Sequence, residues 1–543
     1  MSTGVVARRA VRSLPQWPSD RPLRAWQQQA LTALAEHAGH SFLASATPAA
    51  GKTTFGLRAA HEMLASGRIE RVVVAAPTTH ICRQWAADAA RYGIDLEPNR
   101  PNSEGREPRD RHGVAVTYQT IAAGPRTHAA GCTRATLLIA DEPHHMGEHA
   151  AWGSRAQQSF GAASFRLLLS GTPFRSDSNA IPWVVYDDQG VSRADYTYGY
   201  TEALLDGVCR PITFQPYDGE MEWISDGKRR KASFATVLPH AESARRLRTA
   251  LEPDGDWMTE VLRDADAKLS AVRASGHRDA GGLVVASDKE NAARIAERLE
   301  RIAVERPEIV TSDEPDSSAR IAAFSTGSRR WLVSVLMVSE GVDIPRLRVG
   351  VYATAARTEL FFRQVIGRFV RRTPAPKAQM SYLLLPADIR LKALAAQIEE
   401  ERNHALEQKP EGEEQQDRER SAGEQAFHAL SSSAYADDAI TSSIHGDDLQ
   451  LFFDPDQQKP APRAPAPPPP AHLREEPAYA RRERLREERN KLVADICRRT
   501  GEPHRQIHAR MNRATGSKSV GAATVDQLEK ANALLTKELR SRL

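Results

Sequence analysis

Ala46-Thr47-Pro48-Ala49-Ala50-Gly51-Lys52-Thr53-Thr54 follows a short apolar run, Phe42 to Ala44, and opens a stretch of helical spacing that reaches Met63. A tight loop between a strand and a helix directs backbone N–H groups and the positive helix end at one point, which suits a polyphosphate. Lys52 is expected to reach the terminal phosphates and the Thr53 hydroxyl to hold Mg²⁺, with Ala50, Gly51 and Thr54 completing the cradle. Ala46 and Ala49 stand where such loops often carry Gly.

A partner for this loop lies about ninety residues downstream, an interval that fits two or three β-α units. Leu137-Leu138-Ile139-Ala140 reads as a buried strand, and Asp141-Glu142-Pro143-His144-His145 follows at its carboxyl end, the edge where open parallel sheets keep their ligands. Two adjacent carboxylates can divide the work. Asp141 is expected to hold Mg²⁺ through water and Glu142 to polarise the attacking water.

With 543 residues the chain has room for three or four domains. Its net charge of +4 hides an uneven distribution: residues 401–460 hold fourteen acidic and five basic side chains, and residues 461–543 eighteen basic and ten acidic. A polyanion would therefore be met by local patches and not by a global field. Cys82, Cys132, Cys209 and Cys497 are scattered without Cys-x-x-Cys spacing, which argues against a zinc site or disulfide frame and for a reducing compartment. No apolar run approaches the ~20 residues needed to cross a bilayer, and Arg8 and Arg9 are not followed by the apolar core of a signal peptide. The expectation is a soluble, cytoplasmic protein without a membrane partner.

Residues 1–22 are rich in Arg, Pro and Ser and read as a flexible extension. Residues 23–205 alternate strand and helix. A helix begins at Leu23 with apolar Trp26, Ala30, Leu31 and Leu34, and the Gln27 amide can offer both donor and acceptor to an adenine edge. Val72 to Thr78, Val114 to Thr120 and Phe165 to Arg175 read as strands with polar exits, and residues 95–112 as an exposed loop. Residues 206–275 read as a connecting segment: a strand near Val208 to Phe214, a hairpin or loop over Asp218 to Lys231, and helices broken near Pro253-Asp254-Gly255. Residues 276–400 repeat the β-α alternation, including Glu340-Gly341-Val342-Asp343-Ile344-Pro345 and a helix over Glu359 to Arg371 that places Arg368 and Arg371 on one face. An acidic and then Pro-rich linker, 401–478, leads to a basic module of three helices on a tether, 479–543. His144, His145 and His149 are read as hydrogen-bonding or solvent-facing, not as metal ligands.

These motifs, in this order, resemble the superfamily 2 helicases and translocases, closest to restriction-enzyme motor subunits and phage helicases, over residues 23–390. Gln27 matches the adenine-reading Gln, Ala46–Thr54 the phosphate loop, and Asp141–His144 the Asp-Glu-x-His box, with Pro143 where Ala is usual. Ser170–Pro173 matches the Ser-Gly-Thr-Pro coupling motif, Glu340–Pro345 the late loop, and Gln364–Arg371 the arginine-finger helix. The resemblance implies an α/β fold of two tandem RecA-like parallel-sheet domains that hydrolyse ATP with Mg²⁺ while gripping nucleic acid, DNA before RNA. It implies nucleotide roles for Gly341 and Asp343, coupling roles for Ser170, Thr172 and Gln364, and transition-state roles for Arg368 and Arg371. Thr78, Thr117, Gln119 and Thr354 would lie near backbone phosphates. Two alternatives stay open: a duplex-translocating motor without strand separation, and a nucleic-acid-binding or protein-binding chain whose basic tail is the working end and whose ATPase is weak. A protein partner would dock on the C-terminal module.

Overall fold

The computed structural model describes residues 14–104, 111–132, 135–146, 150–171, 181–188, 190–225, 227–311, 317–335, 344–374, 376, 379–407 and 476–541. The chain forms two compact units, one of residues 1–45, 51–197 and 463–543, the other of 46–50 and 198–462.

The first unit is built on strands β1 (Ser41–Ala46), β2 (Arg71–Ala76), β3 (Leu96–Pro98), β4 (Gly113–Thr117), β5 (Thr136–Asp141) and β6 (Phe165–Ser170). A small antiparallel pair, β7 (Val185–Tyr186) with β8 (Ser192–Arg193), precedes β9 (Tyr196–Tyr198), and the large sheet runs β3-β4-β2-β5-β6-β1-β9. β1 to β6 pair in parallel. The reason is visible in β2: Val72 to Ala76 are buried without alternation, as a strand covered on both faces must be. Ser45 pairs with Ser170 and Asp141 with Leu169. The loop after β1, the carboxylates after β5 and the exit of β6 therefore leave from one edge of the sheet.

Two expectations for this unit are corrected. Within residues 14–22, read as part of a flexible extension, Pro15 and Trp17 are anchored: Trp17 stacks on Tyr92 at 3.9 Å, and His61 Nε2 lies 2.9 Å from the Pro15 carbonyl oxygen. The stretch 95–112, read as an exposed loop, contributes the edge strand β3 and buries Asp95, Glu97, Arg100 and Arg111.

The second unit holds β10 (Ile212–Tyr217), the hairpin β11 (Met221–Ser225) and β12 (Lys228–Ala232), then β13 (Gly281–Ala286), β14 (Glu308–Val310), β15 (Trp331–Val335), β16 (Leu347–Ala353) and β17 (Ser381–Pro386). Its main sheet runs β10-β17-β16-β13-β15-β14, all parallel. The segment 206–275 is thus not a connector. β10 pairs with β17, and helices His240–Ala250 and Asp256–Ala274 bury Leu247, Met258, Val261 and Leu269 in one core with Val284 and Val333. Their Arg- and Glu-rich outer faces hid an apolar stripe that helical spacing aims inward. The break falls where Pro253-Asp254-Gly255 places it, with Gly255 as the N-cap of the second helix.

The helix Glu359–Phe369 ends two residues before Arg371, which forms an antiparallel bridge with Cys209. Arg368 and Arg371 therefore do not share a helix face, because the backbone is already extended at the second arginine. The tail forms the three expected helices, Ala478–Thr500, His504–Thr515 and Val525–Ser541, around Val493, Ile496, Ile507, Met511, Ala531 and Leu535. It belongs to the first unit and packs on β3, which corrects the expectation of a module held only by its tether. Among the described residues, no helix is long and apolar enough to cross a membrane.

Candidate nucleotide site

The loop after β1 is closed by the Ala50 N–H, which donates to the Thr47 carbonyl at 3.1 Å. Ala49 and Gly51 both take left-handed backbone, with φ of 70° and 94°. Gly51 does so without steric cost, whereas Ala49 carries the Cβ crowding that makes Gly the usual choice there. Gly51 is the N-cap of helix Lys52–Ala65, and no side chain caps that helix start. A helix end of this kind presents its first N–H groups and positive pole to an anion.

Gln27 is buried against the loop. Its Oε1 accepts from the Arg24 N–H at 2.9 Å and its Nε2 donates to the Gly51 carbonyl at 2.9 Å. Both ends of the amide are thus engaged within the protein. These bonds brace helix Ala25–Glu36 against the phosphate loop and leave the amide a second N–H and a second lone pair.

The centre of the site is an ion pair. Lys52 Nζ lies 3.2 Å from Glu142 Oε1. The other carboxylate oxygen accepts from the Gly171 N–H at 3.1 Å and the Ser170 hydroxyl at 3.4 Å, and His144 Nδ1 is 3.6 Å from it. Burial works to raise the Glu142 pKa, but Lys52, then His144, then the Gly171 N–H outweigh it and hold it down to about 2. Glu142 has φ of 51°, while its N–H donates to the Leu169 carbonyl at 2.8 Å. A non-glycine residue in that region is strained, and such strain gathers at working sites.

Asp141 is oriented from behind. The Trp85 indole N–H donates to its Oδ2 at 2.8 Å, and the Tyr118 hydroxyl donates to its carbonyl at 2.8 Å. Trp85 is 1% exposed and packs on the phosphate-loop helix, where a Cβ on Gly56 would fall 3.1 Å from the indole ring. Neither aromatic was singled out from sequence, because a Trp at helical spacing has the pattern of any core residue. Thr53 and Thr54 are half-buried in the first turn of the same helix. A half-buried hydroxyl at an anion-binding helix start, with an oriented carboxylate on the same sheet edge, is a donor set that fits Mg²⁺ with a polyphosphate.

The strand-exit residues differ in exposure. Thr117 is buried, accepts from the Thr120 N–H at 3.1 Å and shares a 2.9 Å hydrogen bond with the Thr120 hydroxyl. Thr354 is buried and accepts from the Ala356 N–H at 3.3 Å. Both hydroxyl oxygens cap a local backbone N–H, as that of Thr78 also does. Thr78 is a half-buried N-cap that accepts from the Ile81 N–H at 3.3 Å, and Gln119 is exposed. In the second unit, Gln364 and Arg368 are half-buried and one helical turn apart. Thr172, Gly341, Asp343 and His149 lie outside the described residues. The His144 and His145 rings pack at 4.4 Å, tilted by 40°, and no metal-ligand cluster of His, Cys, Asp or Glu occurs among the described residues.

Residues 20–175 match the family model described as the Type III restriction enzyme, res subunit. An uncharacterized protein of Mycobacterium tuberculosis is 40% identical over 563 aligned positions, which cover 94% of this chain and 91% of its own. A Halobacterium salinarum protein assigned as a DNA 3'-5' helicase Rad25 is 25% identical over 315 positions, 56% of this chain and 45% of its own. Among solved structures, the ATP-dependent Type ISP restriction-modification enzyme LlaBIII bound to DNA covers 69% of this chain and 29% of its own, at 14% identity and a TM-score of 0.45.

Proposed function

Because the chain belongs to one family with that mycobacterial protein, and with it to the superfamily 2 helicases and translocases, we propose that it hydrolyses ATP to move along nucleic acid, DNA in preference to RNA. The observation that carries this reading is the Lys52–Glu142 pair, seated on the Ser170-Gly171 exit of β6. It sets a phosphate-binding cation beside the carboxylate proposed to act on water. Lys52 exchanges the carboxylate for phosphate oxygens when nucleotide arrives, which releases Glu142 to polarise water. The other carboxylate oxygen is held by the Gly171 N–H and Ser170 hydroxyl, so a shift of Glu142 would be felt by the Ser170-Gly171 segment.

Thr53 and Asp141 would hold Mg²⁺, which neutralises phosphate charge when bound. Trp85 keeps the Asp141 carboxylate oriented, and Gln27 keeps the loop against helix Ala25–Glu36. Gly341, Asp343 and Gln364 take their nucleotide and coupling roles from the resemblance alone. So do Arg368 and Arg371, whose guanidinium groups suit the charge that grows on a transferring phosphoryl group. Thr78, Thr117, Gln119 and Thr354 are the candidates for sequence-independent grip, by resemblance.

The match of residues 20–175 to a restriction res subunit favours a second reading, translocation on duplex without strand separation. ATPase rates with single-stranded DNA, duplex DNA and RNA, measured side by side, test the substrate. Strand separation on a forked duplex distinguishes a helicase, and triplex displacement without it identifies the duplex translocase. A chain that only binds nucleic acid would show neither, nor stimulated hydrolysis.

A further inference from the structure

The C-terminal helices are fixed to the first unit by buried charge. Arg482, 1% exposed, donates to both oxygens of Asp95 at 2.9 and 2.8 Å and to Glu97 at 2.9 Å. Arg486 donates to the other oxygen of Glu97 at 2.6 Å, and Arg111 lies 3.0 Å from the same carboxylate. Arg100 and Arg486 converge on the Gly521 carbonyl at 3.1 and 2.9 Å. Burial alone would raise the Glu97 pKa, but Arg111, Arg482 and Arg486 together lower it. A Cβ on Gly521 would fall 2.1 Å from the carboxyl carbon of Glu104, which is itself paired with Arg100, so this position needs the bare backbone.

This clamp uses the first turns of helix Ala478–Thr500. The last turn of that helix carries Arg498 and Arg499, about 25 Å further along at 1.5 Å per residue. The chain then turns through a left-handed Gly501 and enters His504–Thr515, a helix with no acidic residue. Arg499, Arg505 and Arg513 are exposed, and none forms an ion pair with another described residue. Arg505 and Arg513 are eight residues apart, so they lie near one helix face with the small Ala509 between them. The nearest carboxylates, Asp495 and Glu502, are paired with Arg498 and Arg510, and other exposed ones lie at Glu483, Glu487 and Glu488 near the clamped end and at Asp526.

We infer that the module is a second nucleic-acid contact of the first unit, held at one end by the Arg482 clamp and gripping backbone phosphates through Arg499, Arg505 and Arg513. This rests on the proposed action on nucleic acid. The chemistry fits a polyphosphodiester: guanidinium groups spaced along a face whose nearest carboxylates are already paired, with exposed Gln506 beside them, grip charge without demanding a sequence. An acidic protein surface is the competing occupant.

The test is the salt dependence of single-stranded and duplex DNA binding by the full chain, comparing wild type with the triple variant Arg499→Gln, Arg505→Gln, Arg513→Gln. A matched control replaces three exposed cations of the next helix, Lys530→Gln, Lys537→Gln and Arg540→Gln. The inference expects the slope of log affinity against log salt to fall by about 2 to 3 in the first variant and to hold in the control. Hydrolysis without DNA should be unchanged in both. Equal losses in the two variants would mean diffuse attraction and overturn the inference. Wild-type binding matched by the first variant would also overturn it and leave the face to an acidic protein. Failure of wild-type DNA to bind or stimulate at all would instead sink the proposed function itself.

Discussion

Trp85 donates its indole N–H to Asp141, joining the helix that follows β2 to the carboxylate that ends β5. Replacing Trp85 by Phe keeps most of the volume and removes the donor. A hydrogen bond to a charged group contributes about 1.5 to 3 kcal/mol, so denaturant unfolding should show a loss of that order. The more telling measurement is the Mg²⁺ dependence of hydrolysis. The Mg²⁺ concentration for half-maximal rate should rise, because the carboxylate is no longer held, whereas a purely structural role for Trp85 would leave it unchanged.

The Lys52–Glu142 pair sets a pH signature. The Glu142 pKa is depressed in the folded chain, to about 2, against about 4.3 for an unperturbed Glu. Its contribution to stability is therefore complete above the unfolded value and is lost as pH falls through the folded one. Glu142→Gln should flatten the acid limb of the stability curve between those values. In Lys52→Ala the strongest influence lowering the pKa is gone, and carboxyl NMR should find Glu142 titrating at higher pH.

Ala49→Gly should stabilise the protein. An L-residue in left-handed backbone costs roughly 1 to 2 kcal/mol, and Gly returns roughly 0.5 to 1 kcal/mol of that through the entropy of the unfolded chain. The expected net gain is below about 1 kcal/mol, read as a higher denaturation midpoint at unchanged slope. A lower midpoint would show that Ala49 makes a contact worth more than its strain.

Much of this architecture could be read in the residues, and the exceptions have a common physical cause. Uniformly apolar runs such as Val72 to Ala76 and Leu137 to Ala140 have one stable setting, inside a parallel sheet, and the loop and carboxylates at their ends followed from it. Asp95, Glu97, Arg100 and Arg111 misled because charge in a short polar stretch is normally solvated. Arg482 and Arg486, which pair with Asp95 and Glu97, lie nearly four hundred residues away, and no local pattern encodes that pairing. The local N–H partners of Thr117 and Thr354 were not legible for a different reason. A hydroxyl after a strand suits a phosphate and a local N–H equally, and only the fold decides. Arg371 looked helical by spacing with Arg368, but its bridge to Cys209 takes the backbone out of the helix.

The clamp should be costly to break and cheap to replace. Arg482→Ala leaves Asp95 and Glu97 buried with fewer counter-charges, and breaking a buried pair in this way costs about 3 to 5 kcal/mol. Combining Arg482→Met with Asp95→Asn, with Glu97 still paired to Arg111 and Arg486, should recover most of that loss. Chemical denaturation gives both values. Limited proteolysis should also release the 476–541 helices from the single variant before the combined one.

The central claim is tested most directly by steady-state ATP hydrolysis of the full chain with and without single-stranded DNA, for wild type, Lys52→Ala and Glu142→Gln. DNA should raise the wild-type rate, and each variant should lose that stimulated turnover by roughly 100-fold or more while remaining folded. Full stimulated turnover in either variant would contradict the account.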